Sequence, residues 1–298
     1  MRYWLGARQR QKGGYSVRVL IVGRGHLGTY LAKHFKVPAE LHWLEDIDAL
    51  TDMELARLMP DVVVNAAGKT DLAWCEANAR EAFRCNVEAP WRLFQKCASA
   101  LLIQVSSGCI WDGPWQTYKG YDMPFWSGTT PNPQSFYAWT KACMDGLLYA
   151  CETSSRRFVM LRPRQLYSPV PCPRNTLTKL LRYPRLIDTP NSMTSAATVA
   201  KTIEAILQVK MCPPALNVCE HGVTSPYQVG CLLAEAGLRE PPGLITKTEL
   251  DETLKPKRVD VVMEDGWLDL HVRPPEVHDE LKRVIAEYGE NVRRGGGK

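Results

Sequence analysis

The chain has 298 residues, 45% of them hydrophobic and 23% charged, and no apolar run approaches the ~20 residues that cross a bilayer, so it reads as a soluble globular protein with no membrane partner. Its net charge of +5 comes from the termini: removing the seven cations Arg2, Arg8, Arg10, Lys12, Arg293, Arg294 and Lys298 leaves −2, which excludes a nucleic-acid groove as the expected function. Ten cysteines without a C-x-x-C pair, preceded by no apolar signal segment, predict a cytoplasmic chain with free thiols, most of them small core residues, and no metal site.

Residues 1–14 and 293–298 read as a disordered leader and tail. Val17–Val22 is an apolar run of the length of a buried parallel strand, and G-R-G-H-L-G follows it directly, opening the periodic segment Leu27–Phe35. Strand, glycine turn and helix form the context in which G-x-G-x-x-G signals a dinucleotide. Gly23 permits the tight turn, Gly25 lets the backbone approach a pyrophosphate at the helix start, and Gly28 allows helix and strand to pack closely, with Arg24, His26 and Leu27 completing the cofactor loop. Leu41–Leu44 is a short second strand. Glu45 then stands where a carboxylate bonds the ribose 2'-hydroxyl of NADH, whereas Arg24 suits the 2'-phosphate of NADPH, so both cofactors stay open.

Thr51–Leu58 predicts a helix and Asp61–Val64 a third strand, which runs into N-A-A-G-K-T. The small residues Ala66, Ala67 and Gly68 would let a flat ring or a ribose lie against the backbone. Asn86 is placed where its amide can brace neighbouring loops. Leu101–Ser106 is a fourth strand leading to Ser107, and after a loop rich in Gly, Pro and Trp the helix Phe136–Cys151 carries Tyr137 and Lys141 one turn apart on one face. A phenol with an ordinary pKa near 10 needs roughly 4 kcal/mol to move ~3 units, about what a cation ~4 Å away supplies at an intermediate dielectric. Tyr137 and Lys141 therefore suit an acid/base pair, and Ser107 could hold a carbonyl oxygen beside the tyrosine.

Arg156–Leu161 is a fifth strand, and the alternation of strands and helices specifies an α/β, Rossmann-type, doubly wound parallel sheet over 15–165. Residues 166–292 read mainly as a smaller substrate-binding lobe, from which 196–218 return to the sheet. Thr176–Leu181, Ser225–Ala236 and Pro275–Tyr288 predict helices there. Residues 241–270 are polar, with several prolines and little periodicity.

Together the glycine turn, N-A-A-G, Asn86, the strand ending at Ser107 and Tyr137-x-x-x-Lys141 resemble an extended or atypical short-chain dehydrogenase/reductase. P-D-V-V-V-N-A-A-G, W-C-E-A-N, N-V-E-A-P and S-S-G-C-I-W-D-G resemble the dTDP-4-dehydrorhamnose reductase group. S-F-Y-x-x-T-K, L-R-x-R, P-R-N-x-x-T-K and D-x-P-N-S-M-T further resemble the plant-type UDP-4-keto-6-deoxyglucose 3,5-epimerase/4-reductases found in the C-terminal half of plant rhamnose synthases. The likeness covers Val17–Ala236. Ser107 stands where the plant proteins have Thr, the second strand and its loop are shorter, and the chain from Pro241 matches poorly.

The resemblance implies NAD(P)H-dependent reduction of a UDP- or dTDP-linked 4-keto-6-deoxyhexose to an NDP-6-deoxyhexose such as NDP-L-rhamnose. Tyr137 would be the proton donor, Lys141 the tyrosine's cation and ribose anchor, and Ser107 the ketone's partner. It further implies 3,5-epimerisation by Cys109 and Lys179. Substrate contacts are expected from Ser107, Gly108, Cys109, Arg164, Arg174, Asn175, Asn191, Ser192 and Met193, and a homodimer from helices Glu88–Cys97 and Phe136–Cys151. The competing readings are a reductase without epimerase activity, an NAD-dependent sugar epimerase or dehydratase, and a catalytically silent dinucleotide-binding subunit. A binding-only module has no physical need for Ser107, Tyr137 and Lys141 together.

Overall fold

In the computed structural model, which describes residues 17–35, 42–44, 58–119, 133–151, 157–209 and 211–295, the first apolar run forms strand β1 (Val19–Val22) with all four side chains buried. Glu45, the body of the helix expected from Thr51, the leader, and residues 296–298 lie outside the described residues. Helix α1 (His26–His34) follows the glycine turn, and the parallel strands β2 (His42–Leu44) and β3 (Val62–Asn65) flank β1 on its two sides. Helices α2 (Leu72–Ala77) and α3 (Ala79–Phe83) lead through a wide π-type turn at Arg84–Glu88 into α4 (Ala89–Lys96). Then come β4 (Leu101–Val105), β5 (Gly113–Lys119), α5 (Phe136–Ala150) and β6 (Phe158–Pro163).

The second half begins with β7 (Leu166–Tyr167), α6 (Thr176–Leu180), β8 (Arg185–Leu186) and β9 (Thr194–Ser195). Helix α7 (Ala196–Gln208), β10 (Ala215–Val218) and α8 (Pro226–Glu235) follow. The chain ends with β11 (Gly243–Leu244), α9 (Lys247–Thr253), β12 (Val261–Glu264), α10 (Gly266–His271) and α11 (Val277–Gly295).

Six strands pair in parallel in the order β10-β6-β4-β3-β1-β2. The strand order reverses at β1, which opens a crevice beyond its C-terminal end, and the glycine turn sits there. Alternate residues of each strand face opposite layers, so Val19 and Ile21 pack with Leu31, Val199 and Ile203, while Leu20 and Val22 pack with Leu93, Phe94, Met144 and Leu148. Both faces of the sheet are thereby covered, which is why the strands read as unbroken apolar runs. A separate cluster of Tyr167, Leu177, Val229, Leu233, Leu281 and Ile285 holds the smaller lobe. The fold is the α/β doubly wound Rossmann type with a smaller C-terminal lobe, and β10 joins the sheet at its β6 edge.

Three expectations need correction. Residues 113–119, read as part of a loop, pair as β5 with β12, and the segment 241–270 holds two strands and two helices. Strand β12 is fixed from elsewhere in the chain: Asn191 Oδ1 accepts the Val261 N–H at 3.0 Å and Ser192 Oγ accepts that of Met263 at 2.9 Å. Helix α11 runs to Gly295, which makes Arg293 and Arg294 helical instead of part of a disordered tail. The ten cysteines are all free, but only Cys75, Cys97, Cys212 and Cys219 are buried, the other six being half-buried. Among the described residues no helix is long and apolar enough to cross a membrane.

One buried carboxyl makes fold stability depend on pH. Glu220, 2% exposed, accepts the Ser195 N–H at 2.8 Å and the Thr198 hydroxyl at 2.7 Å at the start of α7. Burial, opposed by those donors, raises its pKa from 4.5 to about 7. Between these values the folded chain binds more protons than the unfolded one, so this group's contribution to stability falls as pH rises through that window. Urea unfolding at a series of pH values should show Glu220→Gln removing a decline of up to about 3 kcal/mol between pH 4.5 and 7. Parallel pH profiles for the two proteins would contradict the assignment.

Candidate active site

The glycine turn is shaped by contacts that no side chain could share. Gly23 has φ +111° and an added Cβ would lie 2.6 Å from Ala67 N, while a Cβ on Gly28 would lie 2.0 Å from the Gly23 carbonyl oxygen. Gly25, the N-cap of α1, is different: a Cβ there meets only the Arg174 guanidinium, at 3.5 Å. The space above Gly25 opens into a cavity of about 620 Å³ against the uncapped N–H groups of α1. Gly23, Arg24, Gly25, His26, Ala66, Ala67, Gly68 and Arg174 line it. Leu27 is buried in the core beneath α1, so its side chain belongs to the packing and only its backbone is available to the loop.

Lys33, Lys69 and Arg84 also line this cavity, and they were not among the expected site residues. With Arg24 and Arg174 they set five cations against the carboxylate of Glu81, which suits a polyanion. Lys69 directly follows N-A-A-G, a position that marks it in retrospect. Arg84 lies on the wide turn at Arg84–Glu88, and that turn's geometry is not a sequence signal. Asn86 on the same turn donates to the Lys69 carbonyl at 2.9 Å and to Thr140 Oγ1 at 3.1 Å, and accepts the Lys69 N–H at 2.8 Å. It thereby ties the loop after β3 to α5.

Ser135 caps α5 by accepting the Ala138 N–H at 3.1 Å, and the helix then carries Tyr137 and Lys141, both buried, to the ends of β3 and β4. Lys141 Nζ donates to the Val105 carbonyl at 3.0 Å and lies 5.9 Å from the centroid of the Tyr137 ring. Ser107 lies close enough to the Tyr137 phenol to act on its pKa, and its Oγ accepts the Cys109 N–H at 3.1 Å. The three residues expected to act together therefore meet.

Their electrostatics differ from the simple expectation. Burial, then the proximity of Cys109, pushes the Tyr137 phenol upward, and Ser107 opposes this only in part. Burial lowers the Lys141 ammonium to about 8, with Asp145 one turn on opposing it. Desolvation is the largest influence on both groups. The phenol thus keeps its proton near neutrality, as a proton donor must.

The turn after Ser107 rests on the smaller lobe. A Cβ on Gly108 would lie 2.5 Å from Met263 Sδ of β12, so the turn packs directly on that side chain. Arg164 Nη1 donates to Cys109 Sγ at 3.0 Å, Nη2 donates to Asn191 Oδ1 at 2.8 Å and to the Val259 carbonyl, and the Arg164 N–H bonds Thr194 Oγ1 at 2.8 Å. Arg164, Asn191 and Ser192 were expected at the substrate. Here they serve as internal braces, with Asn191 and Ser192 fully buried and bonded to Val261 and Met263. Met193 is a core residue of the smaller lobe. Asn175, also fully buried, caps α6 and donates to the Ser168 and Val170 carbonyls. Lys179 is exposed; burial and then Arg258 lower its pKa, and Asp71 and Cys109 are near enough to oppose this.

The family model described as RmlD substrate binding domain matches residues 17–289. The bifunctional dTDP-4-dehydrorhamnose 3,5-epimerase/dTDP-4-dehydrorhamnose reductase of Arabidopsis thaliana is 35% identical over 148 residues, 47% of this chain and 48% of that one. A trifunctional UDP-glucose 4,6-dehydratase/UDP-4-keto-6-deoxy-D-glucose 3,5-epimerase/UDP-4-keto-L-rhamnose-reductase of the same plant is 33% identical over 158 residues, 51% of this chain and 23% of that one. The chain thus spans about half or less of the length of these curated relatives. Among solved structures, the UDP-rhamnose synthase of Acanthamoeba polyphaga mimivirus superposes with a TM-score of 0.76 at 19% identity, over 92% of this chain and 100% of that one. The dTDP-4-dehydrorhamnose reductase of Bacillus anthracis, solved in complex with NADP, gives 0.75 at 16% identity with the same coverages of 92% and 100%. These two likenesses show the fold.

The glycines separate packing from ligand space. Gly28→Ala forces a Cβ onto the Gly23 carbonyl and should cost about 2–3 kcal/mol in urea unfolding, whereas Gly25→Ala should cost less than about 1 kcal/mol. Equal losses at the two positions would show that the opening above Gly25 is not a cavity.

Proposed function

The chain belongs to the RmlD substrate binding domain family, and from that premise we propose that it reduces a UDP- or dTDP-linked 4-keto-6-deoxyhexose with NADPH or NADH, forming an NDP-6-deoxyhexose such as NDP-L-rhamnose. The observation that carries this reading is the meeting of Ser107, Tyr137 and Lys141 beside a cationic cavity at the glycine turn. The cavity suits a dinucleotide: Gly25 leaves room for phosphates at the α1 N-terminus, Arg174 stands over it, and Ala66, Ala67 and Gly68 form a flat wall. When bound, the nicotinamide supplies the hydride for carbon 4. Ser107 and Tyr137 hold the ketone oxygen, and Tyr137 gives up its proton to the alkoxide that forms there. The Lys141 ammonium, anchored to Val105, faces the bound ribose and stabilises the phenolate left behind. The cation set favours NADPH slightly.

Cys109 favours a second activity at the same site, epimerisation at carbons 3 and 5. Its Sγ is held 3.0 Å from the Arg164 guanidinium and lies in electrostatic reach of both Tyr137 and Lys179. With the 4-keto oxygen bonded by Ser107 and Tyr137, the neighbouring C–H bonds are acidified. One of the pair Cys109 and Lys179 removes the proton to leave the enolate, and the other returns a proton to the opposite face, so each inversion is redox-neutral. The relatives' names support this reading, since both include a 3,5-epimerase. Exposed Trp139 and Leu147 on α5, with Phe136 and Phe83 stacked beside Trp139, support a homodimer formed through that helix. The ten free thiols suit a cytoplasmic setting.

Tyr137→Phe should retain NAD(P)H binding and lose roughly 100-fold or more in turnover, the scale of a general acid. Turnover near wild type would remove Tyr137 from that role. For epimerisation the discriminating measurement is solvent deuterium exchange at carbons 3 and 5 of the 4-keto sugar without cofactor. Cys109→Ser and Lys179→Met should each lose exchange while still reducing the already epimerised 4-keto sugar. A wild type that exchanges neither position is a reductase only.

A further inference from the structure

We propose that the His26 side chain, hydrogen-bonded through Nε2 to Ser168, is a positioning residue that locks the segment Ser168–Arg174 over the glycine turn and so sets cofactor affinity. The proposal rests on reading the cavity as the dinucleotide site and assigns a role to a side chain that the reaction itself does not use.

His26 is the first residue of α1, and its Nε2 lies 2.7 Å from Ser168 Oγ, joining the cofactor turn to the smaller lobe across 142 positions of sequence. Ser168 is fully buried and heads the stretch that closes the cavity: Val170, Cys172, Pro173 and Arg174 line it opposite the glycines, with Arg174 reaching Gly25. The stretch is already tied to its own lobe. Asn175 Nδ2 donates to the carbonyls of Ser168 at 2.7 Å and Val170 at 2.8 Å, and Asn291 Nδ2 donates to that of Pro169 at 2.9 Å. His26 supplies its tie to the other side.

Ser168 Oγ accepts the Val170 N–H at 3.1 Å and keeps one proton and one further lone pair, so it can bond His26 Nε2 in either tautomer of the ring. Nδ1 is buried without a partner in the protein, a cost tolerated where a site requires the group. Burial, then Lys179, lowers the His26 pKa to about 4, so the ring is neutral at physiological pH.

NADPH binding by fluorescence titration, on the full chain without sugar, tests this in wild type, His26→Ala, His26→Gln and Ser168→Ala. His26→Ala and Ser168→Ala should each weaken binding roughly tenfold, while the amide oxygen introduced by His26→Gln, able to accept from Ser168, should keep it within about threefold. Affinity unchanged in both His26→Ala and Ser168→Ala overturns the proposal. So does a glutamine variant as weak as alanine, which would mean that ring shape and not the hydrogen bond matters. Wild type that binds no NADPH or NADH defeats the cofactor reading itself. Wild-type binding with unaffected variants defeats only the role of His26.

Discussion

Arg164 is the point on which the site depends. It lies just past β6, buried, and its guanidinium bridges Cys109 on the turn after Ser107, Asn191 before β9 and the Val259 carbonyl before β12. A buried guanidinium is tolerated only when it is bonded, and each such bond contributes roughly 1.5–3 kcal/mol. Those bonds help place β12, and β12 puts Met263 under Gly108 in the turn that carries Ser107 and Cys109. The smaller lobe therefore builds the floor of that turn.

A second buried pair supports the same helix from behind. Asp145, one turn beyond Lys141, bonds Arg162 Nε at 2.9 Å with both side chains fully buried, and the Arg162 guanidinium stacks over Trp111 at 4.8 Å. Burial raises the Asp145 pKa, and Arg162 and Lys141 oppose it. Lys141 thus stands between a carbonyl that it bonds and a carboxylate behind it. The same loss of water that lowers Lys141 to about 8 keeps Tyr137 protonated, so burial prepares the tyrosine to donate and the lysine to answer a bound ligand's charge.

Elements whose stability is local were legible in the sequence. The buried strand, the glycine turn and α1 announce themselves by an apolar run and by glycine spacing, and Tyr137 and Lys141 meet because helical geometry puts positions four apart on one face. Elements stabilised by partners distant in sequence were not. β5 and β12 pair across more than a hundred residues and rest on Asn191 and Ser192, so neither segment carries a period of its own. The short motif around Asn191 was read from its resemblance alone, and its polar groups also serve the backbone of β12, a use that no spacing in the sequence announces. Lys33 and Arg84 escaped notice because a cavity collects side chains from separate elements and leaves no spacing rule.

The most direct test of the central claim is turnover by the purified wild-type chain of NDP-4-keto-rhamnose, as the UDP and the dTDP compound, with NADPH or NADH deuterated at the transferable position. Reduction at carbon 4 predicts an NDP-rhamnose carrying deuterium at that carbon by NMR, formed in step with cofactor oxidation. If all four combinations of sugar and cofactor leave the ketone and the cofactor unconsumed, the account is contradicted and the cavity serves a dinucleotide without this chemistry.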